Sequence, residues 1–181
     1  FLIMDAGENR WNTTFVREIA KALDTIEDDE GPGALITSAT DSKFFSNGLD
    51  LDWMQAPEDY PDGGDREVFG QEFMYLMGRF ITLPIPTICA LNGHTFGAGF
   101  MFALSHDFRI MREDRGFLCA NEMQLGLPIP RPELALFKHK IPANAFFETV
   151  QLSKRWTGTD ALEAGIVQEV SSFEELSNVA L

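Results

Sequence analysis

Apolar positions along the chain alternate between two patterns, the helical spacing of three to four residues and short continuous apolar runs. The helical spacing extends from Thr13 to Ile26, with Asn12 placed as the N-cap, and it returns from Phe69 to Phe80. The short apolar runs that stand between such segments are typical of buried strands. This alternation predicts an α/β fold in which crossover helices join parallel strands.

The other predicted elements are short. Strands are predicted at residues 1–4, 34–37, 87–91, 108–111 and 117–119, and helices at 100–105, 133–139, 143–152 and 159–164. Residues 57–65 are polar and contain Pro and Gly, which predicts a mobile surface loop rather than a domain linker.

The length of 181 residues predicts one domain that spans residues 1–181. Residues 1–4 already have the pattern of a strand interior, and residues 172–181 stop inside a helical pattern without a C-cap. We therefore expect this sequence to be a fragment of a longer protein, lacking both ends.

Composition narrows the possible partners. The chain is 45% hydrophobic and 23% charged, and no stretch approaches the ~20 apolar residues of a membrane span. Fourteen Lys and Arg residues against 28 Asp and Glu residues give a net charge of −14. This charge argues against binding to nucleic acid or to an anionic membrane, and a phosphorylated ligand would need a local basic pocket.

Cysteine and histidine residues indicate no metal or nucleophile site. Cys89 and Cys119 lie in apolar surroundings, which predicts buried free thiols, and no Cys/His spacing typical of a metal site is present. His94, His106 and His139 belong to no nucleophile motif. His106 and the aspartate that follows it are expected to form a structural hydrogen-bonding pair.

Three segments combine features that can carry chemistry, and the first is residues 44–51. An apolar pair there runs into Asn-Gly and then into the start of a helix. Gly48 lets the backbone bend sharply, which leaves the N–H of Leu49 free to point at a ligand atom. An ordinary turn is the alternative interpretation, because Asn-Gly is among the commonest turn signals.

The second segment is Gly97-Ala98-Gly99, which follows a predicted strand and opens a predicted helix. Small residues allow backbone N–H groups to approach a bound oxygen, and the helix dipole adds partial positive charge. Close packing of the helix on the strand is the alternative interpretation.

The third segment is residues 117–126, which contain Glu122. Apolar residues on both sides, Leu118 to Ala120 and then Met123 and Leu125, predict partial desolvation of this carboxylate. Desolvation raises the pKa of a carboxyl toward that of a general base. A surface glutamate at a helix start is the alternative interpretation.

Together these segments resemble the crotonase (enoyl-CoA hydratase/isomerase) superfamily. The resemblance rests on residues 45–51, 84–99, 121–126 and 157–167, taken in that order along the chain. It implies a crotonase-like spiral of repeated ββα units, with C-terminal helices missing from this sequence. It also implies an acyl-CoA thioester as the ligand and a homotrimer or a dimer of trimers as the assembly.

The resemblance further implies roles for individual residues. The N–H groups of Leu49 and Ala98 would form an oxyanion hole for the thioester oxygen, and Glu122 would be the catalytic base. Coenzyme A belongs to the substrate, and no metal or other cofactor is implied. The residues that the resemblance implies for substrate contact are Gly48, Asp50, Phe96, Gly97, Met101 and Leu127.

The chain departs from the hydratases of this family at one position. Those hydratases carry two glutamates, and the first of these positions falls here on Met101, which leaves Glu122 alone. The motif Asn-Glu-Met-Gln-Leu-Gly is closer to monofunctional Δ3,Δ2-enoyl-CoA isomerases, and the Leu-Pro-Ile-Pro that follows would exclude water from the base. We therefore expect an isomerase of fatty-acid β-oxidation.

Several alternatives stay open at this point. An enoyl-CoA hydratase, or another enolate-forming member of the family, would need an acid that the sequence does not identify, and a non-catalytic acyl-CoA-binding protein would keep the fold alone. Lys43 is a candidate cation for the coenzyme A phosphates, although a solvated surface lysine is the simpler interpretation. The compartment is open between the cytoplasm and an organelle matrix.

Overall fold

A computed structural model describes residues 1–29, 31–57 and 63–181. The strands are β1 (Leu2–Met4), β2 (Leu35–Ala39), β3 (Phe44–Ser46), β4 (Thr87–Leu91), β5 (His94–Phe96), β6 (Phe108–Arg112), β7 (Leu118–Cys119) and β8 (Glu169–Ser171). The helices are α1 (Thr13–Glu27), α2 (Leu51–Gln55), α3 (Arg66–Thr82), α4 (Ala98–Leu104), α5 (Glu122–Leu125), α6 (Arg131–Lys140), α7 (Ala143–Val150), α8 (Gly158–Glu163) and α9 (Leu176–Val179).

The strands form two sheets, and both are parallel. The larger sheet has the order β1-β2-β4-β6-β8, and the smaller one has the order β3-β5-β7. The central strand of the larger sheet, β4, reads Thr-Ile-Cys-Ala-Leu and is buried along most of its length. A continuous apolar run of this kind is typical of a parallel strand that is covered on both faces.

The chain adds to the two sheets in turn. β2, β4 and β6 enter the larger sheet, and each is followed by a strand of the smaller sheet, β3, β5 and β7 respectively. A helix follows each pair, beginning with α2, α4 and α5. The predicted α/β class and the predicted repetition of ββα units are therefore confirmed.

Helix α1 has the N-cap that the sequence predicts. The Asn12 side-chain oxygen accepts a hydrogen bond from the Phe15 backbone N–H at 2.9 Å. The buried face of α1 packs against α3. Of the predicted loop at residues 57–65, residues 58–62 lie outside the described residues.

Three of the strands, β3, β5 and β8, were not predicted from the sequence. Each contains three residues, at least one of them polar, so neither an alternating pattern nor a continuous apolar run stands out. Short strands of this kind are stabilised by their partners, since β5 lies between β3 and β7.

The aromatic core links the helices to the smaller sheet. Trp11 is fully buried, and its ring meets Phe73 of α3 and Phe102 of α4 edge-on at centroid distances of 5.1 and 5.0 Å. Phe45 of β3 also stacks on Phe102, at a centroid distance of 6.3 Å. Cys89 and Cys119 are buried and free, as predicted.

The core also holds a neutral histidine. The Nδ1 atom of His106 lies 2.9 Å from the Phe102 carbonyl oxygen, which only accepts, so Nδ1 carries the hydrogen. Its Nε2 atom therefore accepts from the Thr37 hydroxyl at 2.9 Å. The neighbouring aspartate, Asp107, instead accepts from the N–H and hydroxyl of Thr87. The side chains of His106 and Asp107 therefore both make structural hydrogen bonds, but they do not bond to each other as predicted.

Arg109 is a buried cation that main-chain carbonyls hold. The residue is only 2% exposed. The guanidinium donates from Nε to the Ile166 carbonyl at 2.9 Å and from Nη1 to the His106 carbonyl at 3.0 Å. Burial lowers the pKa of Arg109. These contacts tie β6 to the chain segment that precedes β8.

The environment of His106 predicts loss of stability in mild acid. Burial lowers the pKa of His106 from 6.5 to about 4. Between these values the unfolded chain binds a proton that the folded chain does not, so stability falls as the pH falls through this range. From pH 7 to pH 5 this amounts to about 2 kcal/mol of unfolding free energy.

The measurement is chemical denaturation at both pH values, for the native chain and for His106→Gln. Glutamine keeps a donor and an acceptor but does not titrate, so the variant is expected to lose less stability between pH 7 and pH 5 than the native chain. Equal losses in the two proteins would contradict this role of His106.

Candidate active site

The three segments with candidate chemistry all follow strands of the smaller sheet. β3 leads into residues 47–49, β5 leads into Gly97 and Ala98, and β7 leads into Asn121 and Glu122. The carboxyl ends of parallel neighbours lie at the same edge of a sheet, and the central strand β5 pairs with both others. The topology therefore brings all three segments together.

The first two turns touch through their backbones. Gly48 has φ +80°, and a Cβ atom there would lie 2.9 Å from the Phe96 carbonyl oxygen and 3.8 Å from the Ala98 nitrogen. Only glycine accommodates both this conformation and this approach. The alternative of an ordinary turn does not account for so close a neighbour.

The third segment touches the second at Gly97. The Gly97 N–H donates to the Cys119 carbonyl at 3.0 Å, which extends the pairing of β5 with β7. Gly97 has φ +49°, and a Cβ atom there would lie 3.0 Å from Oε1 of Glu122 and 3.3 Å from Oδ1 of Asn121. The Glu122 carboxyl therefore lies directly against the turn that opens α4.

The backbone N–H groups of Leu49 and Ala98 are among those in this region that have no acceptor within the described part of the chain. Next to Leu49, the Gly48 carbonyl accepts from the Trp11 N–H at 2.8 Å, and the Asp50 N–H donates to the Trp11 carbonyl at 2.9 Å. Ala98 is the first residue of α4, where an N–H has no partner inside the helix. Both residues line the same cavity.

This cavity has a volume of about 380 Å³. Its wall is mostly apolar, and it comes from α3, α4 and the segment between α5 and α6. The apolar residues that line it are Leu49, Leu51, Phe69, Phe73, Ala98, Met101, Leu125, Leu127, Pro128 and Pro130. The polar and charged residues that line it are Arg10, Asn47, Asn121, Glu122 and Glu133.

Glu122 is a buried acid at the start of α5. The residue is 8% exposed, and its Oε2 atom is buried without a hydrogen-bond partner among the described residues. Burial raises the pKa of Glu122. Two of the neighbours that the sequence suggested, Met123 and Leu125, are 51% and 48% exposed, and of these two only Leu125 lines the cavity. The cavity wall and the α4 turn desolvate the carboxyl.

A second acid, Glu133, lines the same cavity from the first turn of α6. Burial, and then the charge of Glu122, raise the pKa of Glu133 to about 8. From the sequence, Glu133 is predicted only to lie at the start of a helix, because nothing in its local spacing relates it to Glu122. The raised pKa means that Glu133 holds a proton at neutral pH.

The structure brings most of the predicted contact residues to the cavity, but not all of them. Gly48, Gly97, Met101 and Leu127 line it with Leu49, Ala98 and Glu122. Two others do not line it. The Asp50 carboxylate accepts from the Trp53 backbone N–H and caps α2, and the Phe96 ring stacks on His94 at 5.5 Å.

Arg10 is held in ion pairs at the cavity, and Lys43 does not line the cavity. Arg10 lines the cavity, and its guanidinium pairs with Glu8 at 2.8 Å and with Asp52 at 2.9 Å. Lys43 is exposed and does not line the cavity, and its Nζ lies 4.7 Å above the Phe44 ring.

Within residues 1–29, 31–57 and 63–181, no group of three or more His, Cys, Asp or Glu side chains is placed to hold a metal ion. Over the same ranges, no helix combines the length and the apolar character needed to traverse a bilayer.

Comparison with known proteins agrees with this geometry. Residues 5–181 match the profile of the family described as enoyl-CoA hydratase/isomerase. Enoyl-CoA delta isomerase 2, peroxisomal, of Arabidopsis thaliana is 35% identical over 171 residues, which are 93% of this chain and 71% of that protein. Enoyl-CoA delta isomerase 3 of the same plant is 34% identical over 176 residues, or 94% and 73% of the two chains.

Among solved structures, an enoyl-CoA hydratase from Mycobacterium marinum matches with a TM-score of 0.86 and 26% sequence identity. The match covers 98% of this chain and 75% of the other.

The shared cavity predicts that the two carboxyls are coupled. In Glu122→Gln the nearby negative charge is lost, so the pKa of Glu133 is expected to fall below its native value of about 8. It should stay above the ordinary value of 4.5, because burial is the larger cause of the shift. The measurement is a ¹³C NMR titration of the Glu133 carboxyl, assigned with Glu133→Gln.

The matched control is Glu163→Gln, which removes an exposed carboxylate on α8 and should leave the Glu133 titration unchanged. An unchanged Glu133 pKa in Glu122→Gln would mean that the two groups do not interact.

Proposed function

The chain belongs to the enoyl-CoA hydratase/isomerase family, and we propose that it is an isomerase that moves a double bond from C3 to C2 of an acyl-CoA thioester. Its relatives at 34% and 35% identity are enoyl-CoA delta isomerases, so the chain is an enzyme. The alternative of a non-catalytic acyl-CoA-binding protein is therefore set aside. We assign the reaction to fatty-acid β-oxidation, where double bonds at C3 have to be moved before a chain is shortened.

One observation carries the proposal: a buried carboxyl with a raised pKa shares a cavity with two backbone N–H donors that have no acceptor in the described chain. A thioester oxygen held by the N–H groups of Leu49 and Ala98 would present its C2 carbon to the same space as Glu122. Each such donor is worth about 3 to 4 kcal/mol of transition-state stabilisation in enzymes that use it.

The proposed reaction has two proton transfers. Glu122 first removes a proton from C2 of the 3-enoyl thioester, and the resulting dienolate spreads its charge over the oxygen, C2 and C4. The two N–H groups stabilise the charge on oxygen. Glu122 then gives a proton to C4, and the double bond is left between C2 and C3. These steps need no metal or further cofactor, because the base and the donors belong to the chain.

The apolar wall beside Glu122 supports isomerisation over hydration. Leu127 and Pro128 follow Gly126, the C-cap of α5, Pro130 precedes α6, and all three line the cavity. An apolar wall limits the water available to attack C3, whereas the proton transfer from C2 to C4 needs no water. Met101 occupies the position of the first hydratase glutamate, and its side chain neither accepts nor donates a proton.

Hydration of a 2-enoyl-CoA is the second candidate, and Glu133 is the observation that favours it. A hydratase needs an acid in addition to a base, and Glu133 supplies a second carboxyl in the cavity.

Assembly into a homotrimer or a dimer of trimers, which the family resemblance implies, stays a prediction.

The role of Glu122 predicts the effect of replacing it. Glu122→Gln keeps the size of the side chain and removes the base, so kcat for 3-hexenoyl-CoA is expected to fall by roughly 100- to 10,000-fold. Binding of the unreactive hexanoyl-CoA, measured by calorimetry, should change little. Glu163→Gln is the control for the loss of one carboxylate. Retained turnover in Glu122→Gln would refute the assignment.

Direct comparison of two substrates separates the candidate reactions. With 3-hexenoyl-CoA we expect rapid formation of 2-hexenoyl-CoA, and with 2-hexenoyl-CoA we expect much slower formation of 3-hydroxyhexanoyl-CoA. Chromatography of the acyl-CoA products measures both rates under the same conditions. Faster hydration than isomerisation would favour the hydratase.

A further inference from the structure

The cavity contains one acid that the proposed reaction does not use, Glu133. Of the described residues that line the cavity, three have ionisable side chains, and these are Arg10, Glu122 and Glu133. Arginine does not release its proton near neutral pH, and Arg10 is paired with Glu8 and Asp52. Glu133 is therefore the group beside Glu122 that can exchange a proton.

The two acids differ in their access to solvent. Glu122 is 8% exposed, and its Oε2 atom is buried without a partner in the described part of the chain. Glu133 is only partly buried, so it can contact both the cavity and bulk water. Glu122 begins α5 and Glu133 lies in the first turn of α6, and a short proline-containing segment joins these two helices. Glu133 thus lies between a closed site and the solvent.

The charges of the two acids are linked. The charge of Glu122 is one cause of the raised pKa of Glu133, so the groups are close enough to interact across the cavity. Glu133, with a pKa of about 8, stays protonated at neutral pH. The resting cavity therefore stores one proton in the space that the proposed base, Glu122, also lines.

We propose that Glu133 is a proton relay that exchanges protons between solvent and the carboxyl of Glu122 during turnover. This inference rests on the proposed role of Glu122 as the base. In this relay Glu133 does not touch the reacting carbons, and it acts through Glu122.

The relay step conserves protons and charge. After Glu122 has taken the C2 proton, both carboxyls are neutral. Glu133 then donates its proton to the free oxygen of Glu122 and accepts the substrate proton in return, directly or through one water molecule. Only O–H bonds break and form, and both groups stay neutral. Glu133 next exchanges its new proton with solvent, and Glu122 delivers a solvent-derived proton to C4.

Deuterium in the product reports this exchange. In D₂O, the 2-hexenoyl-CoA formed early in the reaction by the native enzyme is expected to carry deuterium at C4 in part of the molecules. Glu133→Gln removes the exchanging carboxyl, so its product should lose most of that deuterium. Mass spectrometry measures the deuterated fraction of the 2-hexenoyl-CoA product. Every variant is sampled at the same low conversion, so that proteins with different overall rates can be compared.

Two further variants make the result specific. Glu163→Gln, on the exposed face of α8, should give the native share of deuterium. Glu133→Asp restores a carboxyl and should give a larger share than Glu133→Gln.

Two results would overturn the relay: the same deuterium share in Glu133→Gln as in the native enzyme, or no deuterium in the native product. A failure of the proposed function looks different. In that case 3-hexenoyl-CoA is not isomerised, or Glu122→Gln still turns over.

Discussion

The site depends on the parallel pairing of three very short strands. β3, β5 and β7 end at one edge of the smaller sheet, and the chain turns there three times in contact with itself. One close backbone contact is between Gly48 and the Phe96 carbonyl, where a Cβ atom would be 2.9 Å from the oxygen. Because backbone meets backbone at this point, the directions of the neighbouring N–H groups follow from sheet register and not from side-chain packing.

Charge in the cavity is arranged for an anion that forms on the ligand. The cavity already contains two acids, and its one described cation, Arg10, is held by Glu8 and Asp52. In the proposed reaction, negative charge that develops on a thioester oxygen would therefore be met by backbone donors. Burial and the charge of Glu122 raise the pKa of Glu133 to about 8, so Glu133 adds no opposing charge at neutral pH.

Periodicity in the sequence was enough to predict the long elements, such as α1 and the central strand β4, because each contains enough residues for a pattern to show. Of the strands that build the site, β3 and β5 show no such pattern, and linked motifs predicted the meeting of its three segments. Sequence neighbours of lining residues do not all line the cavity, since Leu49 and Gly97 line it but Asp50 and Phe96 do not. Glu133 was missed because its local spacing does not relate it to Glu122, and the two residues share a cavity only in the folded chain.

The buried guanidinium of Arg109 has a consequence for synthesis on the ribosome. Its Nε donates to the carbonyl of Ile166, a residue translated long after β6. The fully bonded, buried state of Arg109 therefore requires the segment before β8, so this side chain reaches its final environment only after residue 166 has been synthesised. Until then one of its two main-chain acceptors is missing, and burial in that state would carry a desolvation penalty.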